Sequence, residues 1–183
     1  MYITDLMNNL EAELKQTVRD IPDFPKPGVL FKDLTPVLKQ PELCKSITGA
    51  FCEQISKLSP DALIALDSRG FWFGLMISTQ LGIPMIPVRK EGKLPYETIA
   101  QIYALEYGTA KIEMHIDALK PGWKVILHDD LLATGGTAEA ASKLVVNQGA
   151  TVAGYAFMVE LSFLNGRSKI NPYSDQIISL AIY

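Results

Sequence analysis

Val125-Ile-Leu-His-Asp-Asp-Leu-Leu-Ala-Thr-Gly-Gly-Thr-Ala138 holds, in order, an apolar run, two acids, a glycine-containing turn and the first residue of a helix-forming stretch. Lys124 to His128 reads as a short buried strand. Asp129 and Asp130 follow it directly. Ala133-Thr134-Gly135-Gly136-Thr137 then leads into Ala138-Glu139-Ala140-Ala141, which are good helix formers. Two glycines let the backbone turn and come close to a ligand. Free amides at a helix start point at an anion, and the helix dipole favours it. The dipole supplies only roughly 0.3–1 kcal/mol, whereas each hydrogen bond to a charged group is worth about 1.5–3, so amides on a phosphate dominate. Adjacent carboxylates repel each other and repel that anion. The arrangement makes sense for a ligand that also offers hydroxyl donors or brings a cation. A ribose 5-phosphate offers both ends: phosphate on the turn, the 2- and 3-hydroxyls on Asp129 and Asp130. A lone Asp-Asp would be read as an ordinary strand-to-helix turn; the whole string is not.

Around this stretch the composition is that of a globular protein. The chain has 183 residues, 48% hydrophobic and 20% charged, enough for a substantial core. A net charge of −3 argues against a general nucleic-acid surface, though a local basic site for a polyanion remains open. The two cysteines, Cys44 and Cys52, lack a C-x-x-C pairing, so neither a zinc site nor a disulfide scaffold is expected and reduced thiols in a cytoplasmic protein are. Met-Tyr-Ile-Thr-Asp opens the chain without a basic region or a long apolar run, so a signal peptide is not expected, and no stretch approaches membrane-spanning length. Neither G-x-G-x-x-G nor G-x-x-x-x-G-K-[ST] occurs, against a Rossmann dinucleotide site and a P-loop.

Leu6, Leu10, Leu14 and Val18 predict an amphipathic helix over about 4–19. Asp20 to Val37 carries four prolines and a glycine and cannot be a continuous helix; its Phe24, Val29, Leu30 and Phe31 must pack on something. That segment reads either as a lid over the core or as a wall for a flat ligand, with Phe31 stacking. A helix from Pro41 to Leu58 buries Leu43, Ile47, Phe51 and Ile55. Ala62 to Leu66 is a buried strand ending in Asp67-Ser68-Arg69-Gly70, with a helix over 71–81 after it, so strand, polar turn and helix recur. Arg69 can clamp a phosphate, or lie at the surface, or pair with Asp67. Ile83 to Val88 predicts a third strand, placed at an edge by its prolines. It delivers Arg89, Lys90 and Lys93, a cluster suited to attracting a polyanion. Leu94 to Tyr107 has weak periodicity and reads as a mobile flap, and 112–116 as a half-buried strand. Gly149 caps the helix that follows the central turn; strands over 151–159 and 176–182 close the chain, with Arg167 and Lys169 solvated between them. Alternating strands and helices predict an α/β fold, a mainly parallel twisted sheet flanked by helices.

Val125 to Thr137 resembles the phosphoribosyl pyrophosphate (PRPP) motif of the type I phosphoribosyltransferases, and Asp-Asp-Leu-Leu-Ala-Thr-Gly-Gly-Thr is similar to the branch that acts on adenine. His128 stands where that family often has an apolar residue. The resemblance implies one phosphoribosyltransferase domain over 1–183, with a small N-terminal hood at about 20–37 and a flexible loop at about 92–108. It implies transfer from PRPP to adenine, giving AMP and diphosphate in purine salvage, with Mg2+ held mainly through PRPP and no dedicated protein ligand set. By the same resemblance Asp129, Asp130, Ala133, Thr134, Gly135, Gly136 and Thr137 bind PRPP or AMP. Asp67, Ser68, Arg69, Lys90 and Lys93 bind pyrophosphate, with a non-proline cis peptide at Asp67–Ser68 and Glu91 weakening the local field. Val29, Leu30, Phe31 and Lys32 form the adenine site, with main-chain contacts from Leu30 and Lys32 and stacking by Phe31. Glu106, with Arg69, is the catalytic pair and Tyr107 its neighbour in the flap. A homodimer in the cytoplasm, without nucleic acid or membrane partners, is the remaining implication. A transferase for a 6-oxopurine and a non-catalytic PRPP sensor are the alternatives.

Overall fold

The computed structural model describes residues 3–104 and 108–183, the first five of them by backbone alone. Helix α1, Ile3–Thr17, turns Leu10 and Leu14 into the core, and Val18 continues that stripe. Two short strands follow, β1 (Arg19–Pro22) and β2 (Leu30–Asp33), paired antiparallel in a small sheet of their own. The segment expected to be irregular therefore folds back as a ribbon. Its apolar residues are only partly covered: Phe24 and Leu30 are each 50% exposed.

Seven strands build the main sheet, in the order β5-β6-β4-β3-β7-β8-β9. Strands β3 (Ala62–Leu66), β4 (Met85–Lys90), β7 (Lys124–Leu132), β8 (Thr151–Glu160) and β9 (Ile177–Ile182) run parallel; β5 (Thr98–Ala104) and β6 (Thr109–His115) pair antiparallel and extend one side. All five residues of β3 are buried, as expected of a strand covered on both faces. Helices α1, α2 (Pro41–Ser56) and α3 (Gly70–Leu81) cover one face, where Ile47, Phe51, Ile55, Phe73 and Ile77 meet Leu63, Ala65 and Ile126. Helix α4 (Gly136–Asn147) covers the other, with Ala141, Leu144 and Val145 against Ile64, Leu127 and Tyr155.

Three expectations are corrected. Strand β4 is interior, between β3 and β6. The carbonyls of Pro84 and Val88 accept from Leu63 and Asp67 of the β3 side, so strand alternation turns Pro87 the other way. There β6 pairs only with Arg89 and Lys90, and the missing N–H of Pro87 costs no ladder bond. Residues 98–104, read as part of a weakly patterned flap, form a regular edge strand. The acidic pair lies within the strand rather than after it, because β7 runs on to Leu132.

Candidate active site

The chain runs from β3 outward to β4, and from β7 outward to β8 and β9 in the opposite direction. The two inner strands are neighbours, and the connections leaving their C-terminal ends diverge. In an open α/β sheet such a switch point is where ligands sit. Asp67 to Gly70 lies on one side of it and Asp129 to Thr137 on the other.

The second side is a glycine turn at a helix start. Gly135 has φ +76° and caps α4, and its carbonyl accepts from Glu139 at 2.9 Å. A Cβ there would stand 2.5 Å from the Gly166 carbonyl oxygen, so both the torsion and the space require glycine. Asp129, Leu131 and the residues from Leu132 to Ala138, together with Phe157, line a small open hollow. Ala133, Thr134, Gly135, Gly136 and Thr137 are thus brought together as anticipated. The Thr137 hydroxyl is shared with Tyr103 of β5, 3.3 Å away.

The two acids meet different surroundings. Asp129 faces the hollow and sits against Gly70, where an added Cβ would be 3.1 Å from its Oδ1. Asp130 is 2% exposed, and Arg69 Nε stands 2.9 Å from its Oδ2. Burial pushes the Asp129 carboxyl well above the usual carboxylate range, and the Asp130 charge pushes it further. Burial also raises Asp130, against the pull of the Arg69 guanidinium. Arg69 therefore bridges the switch point from α3 to β7. Its partner is Asp130 and not Asp67, which is held by Arg89 at 3.2 Å.

On the first side, the Asp67–Ser68 peptide is cis, as is Phe24–Pro25. Lys90 and Lys93 are exposed beside it, and the Lys90 amide points at Asp67 Oδ2 at 3.4 Å. Arg89 is engaged by Asp67 and by the Lys93 carbonyl. Glu91 pairs with Lys111 at 2.7 Å. Glu106 and Tyr107 lie outside the described residues.

Phe31 reaches this crevice from β2. The Arg69 guanidinium stands 5.5 Å from its ring centre, and Phe24 meets it edge-on at 5.1 Å. Val29 spends its amide on the Lys26 carbonyl and its own carbonyl on the Phe24 amide. Leu30 presents an exposed side chain. Lys32 has a further task that a backbone-only reading misses: its side chain is 8% exposed, bonds Asp20 at 2.6 Å and lies 3.9 Å over the Tyr183 ring. That ties the ribbon to the far end of the chain.

A phosphoribosyl transferase domain model matches residues 34–177. The chain belongs to the phosphoribosyl transferase family. It is 59% identical over 174 residues to the adenine phosphoribosyltransferase of Cytophaga hutchinsonii, covering 95% of this chain and 96% of that one. The crystal structure of adenine phosphoribosyltransferase from Rhodothermus marinus superposes with a TM-score of 0.89 at 45% identity, covering 96% and 99% of the two chains. The Saccharomyces cerevisiae enzyme, crystallised with an imino-altritol bisphosphate and adenine, gives 0.89 at 37% identity over 94% and 99%. The mainly parallel sheet with flanking helices is this transferase family's fold.

Two contributions to the site carried little sequence signal. Arg167, expected to be solvated, makes a two-pronged ion pair with the buried Glu160 at 2.6 and 2.7 Å. His128 is fully buried behind the acids, with Nδ1 2.8 Å from the Ala156 carbonyl and Nε2 without a hydrogen-bond partner among the described residues. Burial pulls its imidazole down to about 4, so it is neutral near pH 7 and Nδ1 carries the proton.

Proposed function

We propose that the protein transfers the phosphoribosyl group of PRPP to adenine, giving AMP and diphosphate in purine salvage. The observation that carries this reading is the glycine turn with Asp129 beside it, facing Asp67 to Gly70 across the switch point, in a chain 59% identical to an adenine phosphoribosyltransferase.

The turn from Ala133 to Thr137 holds the 5′-phosphate through amides and the Thr137 hydroxyl, and Asp129 and Asp130 accept from the ribose diol. As the anomeric C–O bond breaks, positive charge grows on the ribose ring and negative charge on the departing diphosphate. The two carboxylates favour the first. The Asp67–Arg69 loop, Lys90 and Lys93 favour the second. Phe31 stacks on the base, with Val29, Leu30 and Lys32 lining it and main-chain groups of Leu30 and Lys32 at its edge. The ribbon over 20–37 acts as a hood, and the stretch over 92–108, with 98–104 ordered as the edge strand β5, acts as a flap that excludes water. Glu106, next to Tyr107, manages the purine proton.

The donor set suits a divalent ion bound through substrate. Among the described residues there is no cluster of three or more His, Cys, Asp or Glu that could hold a metal, while Asp130 Oδ2 is a buried oxygen with no well-angled donor. Mg2+ prefers phosphate oxygens and retained water, and when bound it neutralises diphosphate charge. A cytoplasmic homodimer completes the reading, and sedimentation of the purified protein tests the dimer.

The deciding assay offers PRPP and Mg2+ with adenine, hypoxanthine, guanine and xanthine in turn. AMP and diphosphate from adenine, with the 6-oxopurines far slower, is the expected result. Preference for a 6-oxopurine would change the base assignment, and PRPP binding without diphosphate release would make the protein a sensor.

A further inference from the structure

The glycine turn is electrically one-sided. Its donors are neutral amides and a hydroxyl, and the nearest full charges pointing into the hollow belong to an acid. The amides can hold a phosphate dianion, and a cation beside them would strengthen that hold. The cations on the segments around the turn are mostly committed: Arg69 to Asp130, Lys143 of α4 to Glu139 at 2.6 Å, and Arg167 to Glu160. Lys169 has no ion-pair partner among the described residues. It lies on a single helical turn, α5, Arg167–Ile170, and is exposed.

Three contacts fix where Lys169 stands. The Arg167–Glu160 ion pair anchors the start of α5, with Ser179 holding the second Glu160 oxygen at 2.6 Å. Tyr155 bonds the Ile170 carbonyl at 3.3 Å and fixes its end. The loop before α5 abuts the turn so closely that a Cβ on Gly166 would collide with the Ala133 carbonyl. Lys169 Nζ consequently comes within 4.0 Å of where a Cβ on Gly136 would be, at the first residue of α4.

We infer that Lys169 is a charge partner of the 5′-phosphoryl group held by the turn, with Arg167 and Glu160 as the residues that position it. This rests on the PRPP reading. An ammonium on a four-carbon stem reaches a phosphate as a point charge and needs no fork geometry. Only the phosphorylated substrate feels it. The competing role is structural: the Ala104 carbonyl and the Tyr103 ring approach the same point, at 3.6 and 3.5 Å from that Cβ position, and Lys169 could serve the edge strand instead.

The test is steady-state kinetics of the full-length protein and its Lys169→Gln and Lys169→Arg variants, with unfolding temperature measured alongside. Losing one partly exposed ion pair should raise KM for PRPP by about 3–10-fold and leave KM for adenine within about 2-fold. Lys169→Arg should restore most of it, and 0.5 M salt should shrink the gap between wild type and Lys169→Gln. An unchanged KM for PRPP overturns the assignment. So does a loss shared equally by both substrates with a lowered unfolding temperature, which is the signature of the structural role. If the wild-type protein forms no AMP from adenine and PRPP, it is the underlying reading that fails.

Discussion

Asp129 and Asp130 are neighbours in the chain with separate electrostatic tasks. Asp130 has Arg69 at 2.9 Å, whereas Asp129 has burial and a like charge against it. Its folded-state pKa lies above the unfolded value of about 3.9, so the folded protein binds the extra proton and loses stability as pH rises through the folded pKa. The ionised carboxylate is thus a cost to the ligand-free fold. Asp129→Asn keeps Oδ1 for the Asp130 amide, 2.9 Å away, and removes the charge. Thermal unfolding should show it about 0.5–2 kcal/mol more stable, while turnover falls by about 10²-fold or more. A variant both active and no more stable would contradict the sugar contact. His128 works with the opposite sign. Its folded pKa of about 4 lies below the unfolded 6.5, so stability is full above about 6.5 and declines as pH falls toward 4, by about 3 kcal/mol in all. His128→Asn retains a donor for the Ala156 carbonyl and cannot titrate; urea titrations from pH 7 to 4.5 should show a shallower decline than wild type. Residue types alone named Asp129, Asp130 and Arg69, but not their partners. Arg167 and Lys32 looked solvated or replaceable because their acids, Glu160 and Asp20, stand 7 and 12 residues back on other elements, spacings too long for a helical side-chain pair.

At the scale of elements, the proposed anion site is a turn pressed against the backbone of the loop before α5. Gly135 takes φ +76° against the Gly166 carbonyl, whereas Gly136 has ordinary helical torsion and 3.5 Å of clearance to Tyr103. Two glycines adjacent in the motif therefore differ in tolerance. Gly135→Ala should lose about 2–4 kcal/mol of unfolding free energy from strain and overpacking, and with it PRPP binding. Gly136→Ala should stay within about 1 kcal/mol of wild type, since alanine favours the helix. Equal losses on chemical denaturation would mean the loop before α5 yields more easily than its packing suggests. The buried strands and the long helices were legible because periodicity is a local property: Leu43, Ile47, Phe51 and Ile55 announce α2, and Ala62 to Leu66 announces β3. Strand β5 was not, since an edge strand is held by its neighbour rather than by a pattern of its own, and its residues alternate only between half-buried and exposed. Strand β4 was misplaced because prolines mark an edge only when the missing N–H faces a full ladder. The cis peptide at Asp67–Ser68 came from the resemblance alone, whereas the residues of 20–37 left a lid and a ligand wall both open.

At the scale of the whole molecule, the ligand would touch three parts of the fold that Arg69 already links, through Asp130 and through the Phe31 ring. The glycine turn belongs to β7 and α4, the Asp67 loop to β3 and α3, and Phe31 to the separate ribbon. A nucleotide that touches all three adds its binding free energy to that of folding, because the unfolded chain has no such site. At 100 times its dissociation constant AMP should stabilise the fold by about 2.7 kcal/mol. For a chain of 183 residues, at roughly 2–4 °C per kcal/mol, the unfolding temperature should rise by about 5–11 °C. Adenosine at the same concentration carries the base and the diol but leaves the turn unfilled, so its shift should be a small fraction of that. Gly135→Ala should bring the AMP shift down toward the adenosine value, since the amides it displaces are those proposed to grip the phosphate. Scanning calorimetry of wild type and variant with each ligand measures all four quantities. Matching shifts from AMP and adenosine in the wild-type protein would mean that the phosphate lies elsewhere, and the sugar-binding role of Asp129 would lose its anchor as well.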